Sequence, residues 1–352
     1  MTSFSAWREL FPSRLSLIIF VVYILLFVNQ GILVTASQKS DNHYDYNIVT
    51  VVLLTEVLKL IISSFLYSRE NGTRQLVIEV LRNKNVLILY LIPAFLYCLY
   101  NNLAFINLSL FDPTTYYLLL QFRVVVTGIL FQFIFKKVLS QKQWVSLIIL
   151  TVGCMLKQMN FSQVDIKAEE NMKASSVKLG LDAIFIFVQI VCSCLAGVYN
   201  EYLLKKQGAD INIFVQNVFM YLDSIVCNLM LLLMNGNILD TFTYQNITKV
   251  FHYKVLVVMV NNAAIGIVTS FFLKTLNSIL KTFASALELV LTAILSYIFF
   301  SIPIHLNTVF AIGTVMFAIW LYSQNPVQNP AQKTVKHSEL EEKEKLMDVE
   351  EV

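Results

Sequence analysis

Ten apolar runs follow one another along the chain, near 15–35, 47–67, 86–108, 113–135, 140–157, 180–203, 213–234, 253–274, 282–301 and 306–323, with polar connections between them. Each is close to the ~20 residues that a helix needs to cross ~30 Å of hydrocarbon. Inside lipid every backbone N–H and C=O must be satisfied within the segment or by closure of a barrel, so runs of this length read as helices. The expected fold is therefore all-α, a polytopic membrane protein with ten transmembrane helices. A composition of 57% hydrophobic and 14% charged residues, with mean hydropathy +0.66, excludes an ordinary soluble domain. The first run follows Trp7, Arg8, Glu9 and Arg14, outlasts a signal-peptide core and has no small-residue cleavage site after it. It reads as a retained span.

Orientation follows from the 26 lysines and arginines, since short basic loops stay on the cytosolic side. With residues 1–14 in the cytosol, Arg69, Arg74, Arg82, Lys84, Lys136, Lys137, Lys142, Lys205, Lys206, Lys274 and Lys281 all fall at or near the cytosolic face, and both ends of the chain are cytosolic. Three sequons test this arrangement. Asn246-Ile-Thr248 is expected in a usable lumenal loop, Asn160-Phe-Ser162 is lumenal but close to a helix end, and Asn71-Gly-Thr73 is cytosolic and bare. The five cysteines, Cys98, Cys154, Cys192, Cys194 and Cys227, lie in or near apolar runs without metal-ligand spacing and read as core thiols.

Arg123 stands inside the apolar stretch 116–126. A permanent cation in a bilayer needs a fixed acidic partner, a water-filled cavity or a visiting anion. The neighbourhood of Arg123 also carries an internal echo. Shifting residues 124–156 forward by 165 positions brings Thr127-Gly-Ile-Leu onto Thr292-Ala-Ile-Leu, and Phe135 onto Phe300. Two halves of five helices each insert with opposite topology, and such a 5+5 inverted repeat places a substrate site near the midplane. The expected division is residues 15–157 and 180–324 for the two halves, with 158–179 as a lumenal linker. The same shift carries Arg123 onto Glu288, which suggests a pair across the pseudo-two-fold, either shared with a bound phosphate or purely structural.

Other polar groups inside the runs join the search. Glu56 and Lys59 are three apart on one helix face and read as mutually neutralising. Asn101, Asn102, Asn217, Asn261 and Asn262 offer carboxamides that either read a nucleobase edge or bond helices together, and Tyr221 lies one turn from Asn217. Glu201, at a cytosolic helix end, reads equally as a gate or as a helix-end charge. The segment from Lys274 through Asn277, Lys281 and Ser285 joins two spans with two lysines and several small or hydroxylated residues, the make-up of an anion cradle or of an ordinary positive loop.

Asn101-Asn102-Leu103-Ala104-Phe105, Tyr116 with Gln121 and a basic residue at 123, Leu139-Ser140-Gln141-Lys142-Gln143-Trp144, Tyr199 with Glu201, Asn217 with Met220-Tyr221, and Lys274 with Asn277 and Lys281-Thr282-Phe283 occur in this order. Together they resemble the nucleotide-sugar transporters, in the branch of the CMP-sialic acid, UDP-galactose and UDP-N-acetylglucosamine carriers. The resemblance runs from about residue 47 to 325. It implies the drug/metabolite transporter fold, a Golgi membrane, and exchange of a cytosolic nucleotide sugar for a lumenal nucleoside monophosphate, with UDP-galactose and UMP as the expected pair. It also implies that Asn101, Asn102, Tyr116, Asn217 and Tyr221 contact nucleoside or sugar, while Arg123, Lys274 and Lys281 meet phosphate. The sialic-acid branch has lysine at the position of Arg123 and a small residue at that of Glu288, and a tyrosine of that branch is replaced by Leu120. An added fixed acid disfavours the extra carboxylate of CMP-sialic acid, which points to a UDP-sugar.

An enzyme is not expected: there is no His-Glu-x-x-His, no Asp-rich metal pair, and the four histidines, His43, His252, His305 and His337, lie outside the spans. A carrier-like scaffold or trafficking protein is the other class that the fold would permit. No cofactor or metal is called for. The expected partners are UDP-galactose, UMP and the lipid bilayer, with no nucleic acid; a homo-oligomer is compatible with the sequence. Residues 325–352 read as a flexible cytosolic tail.

Overall fold

The computed structural model describes residues 10–11, 13–37, 48–111, 113–158, 176–234, 243–300 and 306–324, and the regular elements in them are helices. These are α1 (Arg14–Ser37), α2 (Ile48–Asn71), α3 (Thr73–Arg82), α4 (Lys84–Leu110), α5 (Pro113–Leu120), α6 (Arg123–Phe135), α7 (Gln141–Gln158), α8 (Ser176–Tyr202), α9 (Ile213–Met234), α10 (Tyr244–Val250), α11 (Tyr253–Thr275), α12 (Ser278–Phe300) and α13 (Leu306–Ser323). Among the described residues nine segments are long and apolar enough to cross a membrane: α1, α2, α4, α5 together with α6, α8, α9, α11, α12 and α13. The remaining run of the sequence reading, 140–157, forms α7, which lies antiparallel along α13. Gly153 faces Thr314 and Val315 there, and the Asn307 side chain reaches the Leu156 carbonyl at 3.5 Å. Asn160, most of the expected linker and the expected tail lie outside the described residues.

Two features depart from uninterrupted rods. The run 113–135 was expected as one helix, yet it is broken between α5 and α6 at Gln121 and Phe122. The backbone tightens there into i→i−3 bonds, Gln121 to Leu118 at 3.2 Å, Phe122 to Leu119 at 3.1 Å and Val124 to Gln121 at 3.1 Å. A side chain takes up one carbonyl that the break leaves alone, Gln121 Nε2 donating to Tyr117 O at 3.0 Å, while the first carbonyl of α6, Arg123 O, also accepts from Thr127 Oγ1 at 2.7 Å and Cys194 Sγ at 3.3 Å. A mid-span turn of this kind is tolerated at membrane depth only where protein or a cavity surrounds it. The second departure follows α8, which widens into a π-helical turn, Leu203–Gln207, closed by Gly208 N to Leu203 O at 2.8 Å.

Packing follows a regular scheme. α4 lies on α8 as α11 lies on α1; α4 lies on α9 as α11 lies on α2; α6 lies on α8 as α12 lies on α1. Further close pairs are α2 with α9, α7 with α13, α6 with α12, and α6 with α7 as α12 with α13. The scheme is unchanged when the first five long helices exchange places with the last five, α5 and α6 counting as one. Small residues set the closest approaches. A Cβ on Gly128 would stand 2.9 Å from Leu147, and one on Gly153 would stand 3.1 Å from Val315. The largest apolar cluster, which includes Tyr23, Phe131, Leu147, Leu150, Phe272, Phe283 and Tyr322, joins helices from both ends of the chain.

Candidate functional site

The broken span delivers Arg123 into a cavity between α6, α7, α8 and α12. Its inner part, about 100 Å³, is lined by Gln121, Arg123, Thr127, Cys154, Ser193, Cys194, Gly197, Ser278, Lys281, Thr282, Ser285 and Leu289. A larger part, about 500 Å³, shares Gln121, Arg123 and Leu289 and continues past Tyr100, Ala104, Tyr116, Tyr117 and Leu120. Arg123 and Lys281 thus face one space together with hydroxyls from three helices, α6, α8 and α12. The ion pairs between described residues are Glu56–Lys59 at 2.6 Å and Glu201–Lys205 at 2.7 Å, so neither Arg123 nor Lys281 has a carboxylate within 4.0 Å. Two enclosed cations without acids, surrounded by hydroxyl donors, are suited to hold a multiply charged anion.

The sequence placed Lys281 in a connecting loop, and the structure corrects this. α12 starts at Ser278, capped by Asn277, whose Oδ1 accepts from Leu280 N at 2.7 Å. Lys281 therefore sits on the first turn of α12, with Ser285 one turn further along the same helix. The expected cradle is divided. Lys274 lies outside the cavity lining and donates to the Ile211 carbonyl at 3.2 Å, and Asn277 serves as the cap.

Arg123 and Glu288 do not form the expected pair. The carboxylate of Glu288 is more than 4.0 Å from any arginine or lysine nitrogen among the described residues, and it feels Arg123 and Lys157 only at longer range. α6 and α12 pack against each other, and Arg123 turns into the cavity.

Glu201 closes the end of the cavity at Ser278. One carboxylate oxygen holds Lys205 at 2.7 Å; the other accepts from Ser278 N at 2.7 Å and Ser278 Oγ at 2.5 Å. Lys205 also reaches the Leu276 carbonyl. Glu201 is fully buried. The π turn places Lys205 over the turn between α11 and α12, so one carboxylate caps α12 and neutralises a buried lysine at once.

Asn101, Asn102, Asn217 and Tyr221 do not line this cavity. Asn102 Nδ2 donates to the Cys98 carbonyl at 2.8 Å. Asn217 Nδ2 and the Tyr221 hydroxyl are buried without a hydrogen-bond partner among the described residues. They lie in a second polar cluster between α2, α9 and α11. Here Lys59 Nζ is 5.4 Å from the centre of the Tyr221 ring, and Gly266 leaves room for both side chains. Glu56 and Lys59 neutralise each other as their spacing suggests. Asn261 bonds helices together, exchanging contacts with Asn29 at 2.9 Å and the Leu26 carbonyl at 3.2 Å, and Asn262 Oδ1 is buried without a partner among the described residues. The backbone of Asn246 lies in the short helix α10 rather than in a loop.

Sequence reasoning missed Gln189, which ties the cavity wall together. Its amide donates to the Tyr116 hydroxyl at 2.9 Å and accepts from Asn107 Nδ2 at 2.7 Å. It also passed over Thr127, Ser193 and Thr282, and over Asp223, a buried carboxylate on α9 with Oδ2 unpartnered. A glutamine and an aspartate inside apolar runs were visible signals.

A profile of the nucleotide-sugar transporter family matches residues 12–323. The chain is 60% identical to the UDP-galactose transporter senju of Drosophila melanogaster, over 92% of this chain and 90% of that one. It is 29% identical to CMP-sialic acid transporter 1 of Oryza sativa subsp. japonica over 84% and 89%, and 28% identical to CMP-sialic acid transporter 1 of Arabidopsis thaliana over 92% and 96%. A solved crystal structure at 12% identity superposes with a TM-score of 0.59 over 88% of this chain and 96% of that one, a likeness of fold alone. With its bundle, its enclosed cations and a match that spans nearly all of its described residues, the chain belongs to the nucleotide-sugar transporter family.

Proposed function

We propose that the protein carries UDP-galactose across the Golgi membrane into the lumen in exchange for UMP, by alternating access of the cavity around Arg123 and Lys281. The carrying observation is the pair of enclosed cations without a carboxylate within 4.0 Å among the described residues; the 60% identity to a UDP-galactose transporter supports the choice of sugar. In this reading Arg123 and Lys281 hold the phosphates, Thr127, Ser193, Thr282 and Ser285 supply further donors, and Gln121 with Tyr116 orients the remainder of the substrate. Asn217 and Tyr221 bond to the nucleoside when helix movement opens their cluster to the cavity, with Asn101 and Asn102 on the adjoining helix.

The two halves of the proposed repeat are the two sets of five long helices, a reading supported by the packing scheme that survives their exchange. Both termini are cytosolic in this reading. The Glu201–Lys205–Ser278 contact is then the closed cytosolic gate, and the larger part of the cavity leads toward the lumen. Obligatory exchange follows from charge: closing an empty cavity buries two unpaired cations, which is costly, whereas a bound nucleotide offsets that cost and lets the halves rock.

The test is uptake of labelled UDP-galactose by the purified protein in liposomes preloaded with UMP, compared with UDP-N-acetylglucosamine, CMP-sialic acid and unloaded liposomes. Uptake of UDP-galactose that requires both UMP and Arg123 is the expected result. Folded protein that moves none of these compounds would overturn the proposal.

A further inference from the structure

α3 is a ten-residue helix in which none of the residues is buried, yet half of them are apolar. Two of these, Leu76 and Val80, lean on the cluster of Tyr67, Tyr90, Leu203, Ile211, Val215 and Phe219. The other three, Val77, Ile78 and Leu81, point away from the protein and are 57%, 45% and 69% exposed. Their i, i+1 and i+4 spacing makes one continuous apolar stripe. Arg69, Arg74, Arg82 and Lys84 lie exposed on and beside the helix, and none has a carboxylate within 4.0 Å among the described residues. Against them stand Glu70 and Glu79, so the segment keeps a positive excess.

The position of α3 is fixed by its connections. It follows α2 after Gly72 alone and precedes α4 after Asn83 alone. Gly72 has φ 84 and ψ 150, a conformation open essentially only to glycine, and this lets the chain turn sharply from one helix into the other. A helix tied this closely to two membrane spans stays at the membrane surface. Water on both sides would leave the Val77, Ile78 and Leu81 stripe uncovered, whereas the boundary between headgroups and acyl chains covers it. Arginine stems long enough to reach back along that stripe put their guanidinium groups at the level of the phosphates.

We propose that α3 is an interfacial lipid-binding helix, with Val77, Ile78 and Leu81 set into the adjoining leaflet and Arg69, Arg74, Arg82 and Lys84 holding anionic phospholipid headgroups. The occupant is a lipid of that leaflet because α3 is tied by one residue on each side to spans that themselves expose apolar side chains, Ile61 and Phe65 on α2 and Ile88 and Ile92 on α4. The lipid is anionic because the exposed charge is. Its inner edge rests on the cluster that contains Leu203 and Ile211, so an ordered lipid at α3 braces the π turn and, through it, the Glu201 closure.

Two measurements on the full chain test this. In the first, Leu81→Cys is labelled with an environment-sensitive fluorophore; the five native cysteines are buried. The labelled protein is placed in vesicles of phosphatidylcholine with phosphatidylserine. Quenching by doxyl-labelled lipid and protection from aqueous iodide are expected, and the reverse pattern overturns the proposal. In the second, the preference of the boundary shell for spin-labelled phosphatidylserine over phosphatidylcholine is read by electron spin resonance. At about five-fold per surface arginine, Arg74→Gln with Arg82→Gln should lower the preference by an order of magnitude or more. An unchanged preference overturns the proposal.

Discussion

Arg123 on α6 and Lys281 on α12 face the same cavity from opposite halves of the bundle, and neither has an acidic partner within 4.0 Å among the described residues. In a structural ion network each cation would have been matched. A site that keeps two unmatched cations enclosed is stabilised when an anion arrives, and that is what a carrier of phosphorylated sugars requires.

Removing either cation should therefore weaken nucleotide binding more than it weakens the fold. Arg123→Ala and Lys281→Ala are each expected to lower UMP affinity by about ten- to a hundred-fold, the loss of a hydrogen bond to a charged group in a dry site. Binding titrations beside thermal melting separate the two effects. Lys281→Arg should keep part of the affinity.

Glu288 interacts with Arg123 at longer range without forming an ion pair, so it acts at a distance on whatever Arg123 holds. Glu288→Gln is expected to leave the melting temperature nearly unchanged and to improve competition by CMP-sialic acid against UDP-galactose by a few-fold. Competition uptake in UMP-loaded liposomes measures the ratio. Equal competition in both proteins would remove Glu288 from substrate choice.

The Glu201 closure should show the cost of a stranded buried lysine. Glu201→Gln leaves Lys205 enclosed without its acid, a loss of about 3–5 kcal/mol for a buried pair, and a marked fall in melting temperature is expected. Ser278→Ala removes only one of the two bonds that Ser278 gives to that carboxylate and should cost about 1 kcal/mol.

Gly153 and Gly313 give a contrast on packed and open helix faces. A Cβ on Gly153 would meet Val315 and Thr314 at 3.1 and 3.2 Å, whereas nothing lies within 4 Å of one on Gly313. Gly153→Leu should push α7 from α13 and lower the melting temperature by several degrees, with about 1–3 kcal/mol lost to overpacking. Gly313→Ala should be neutral.

The spans were legible because lipid demands long apolar helices, and that demand is written in composition. Arg123 was legible for the opposite reason, as a charge that lipid does not tolerate. The break at Gln121 and Phe122 was hidden, since no proline or glycine marks it; the long-range contact beside it, Cys194 on α8 to the Arg123 carbonyl, appears only in the folded bundle. Lys281 was placed in a loop because charge outweighed the capping signal of Asn277, three residues before Leu280. The Arg123–Glu288 pairing failed because equivalent backbone positions say nothing about rotamers. Gln189 and Asp223 were overlooked although polar residues in apolar runs deserve the same question as arginine.

The interruption between α5 and α6 has a mechanical consequence. α5 and α6 both rest on α7 and α8, but α5 also touches α4 whereas α6 also rests on α12, so the two pieces of one span differ in their third support. An unbroken rod would carry Arg123 with it at every tilt. A jointed one would let the outer piece swing with Tyr116 and Tyr117 and widen the mouth while the inner piece kept the guanidinium at the hinge. In the proposed carrier, the side that opens would then change while the point of charge that the cargo recognises stayed fixed.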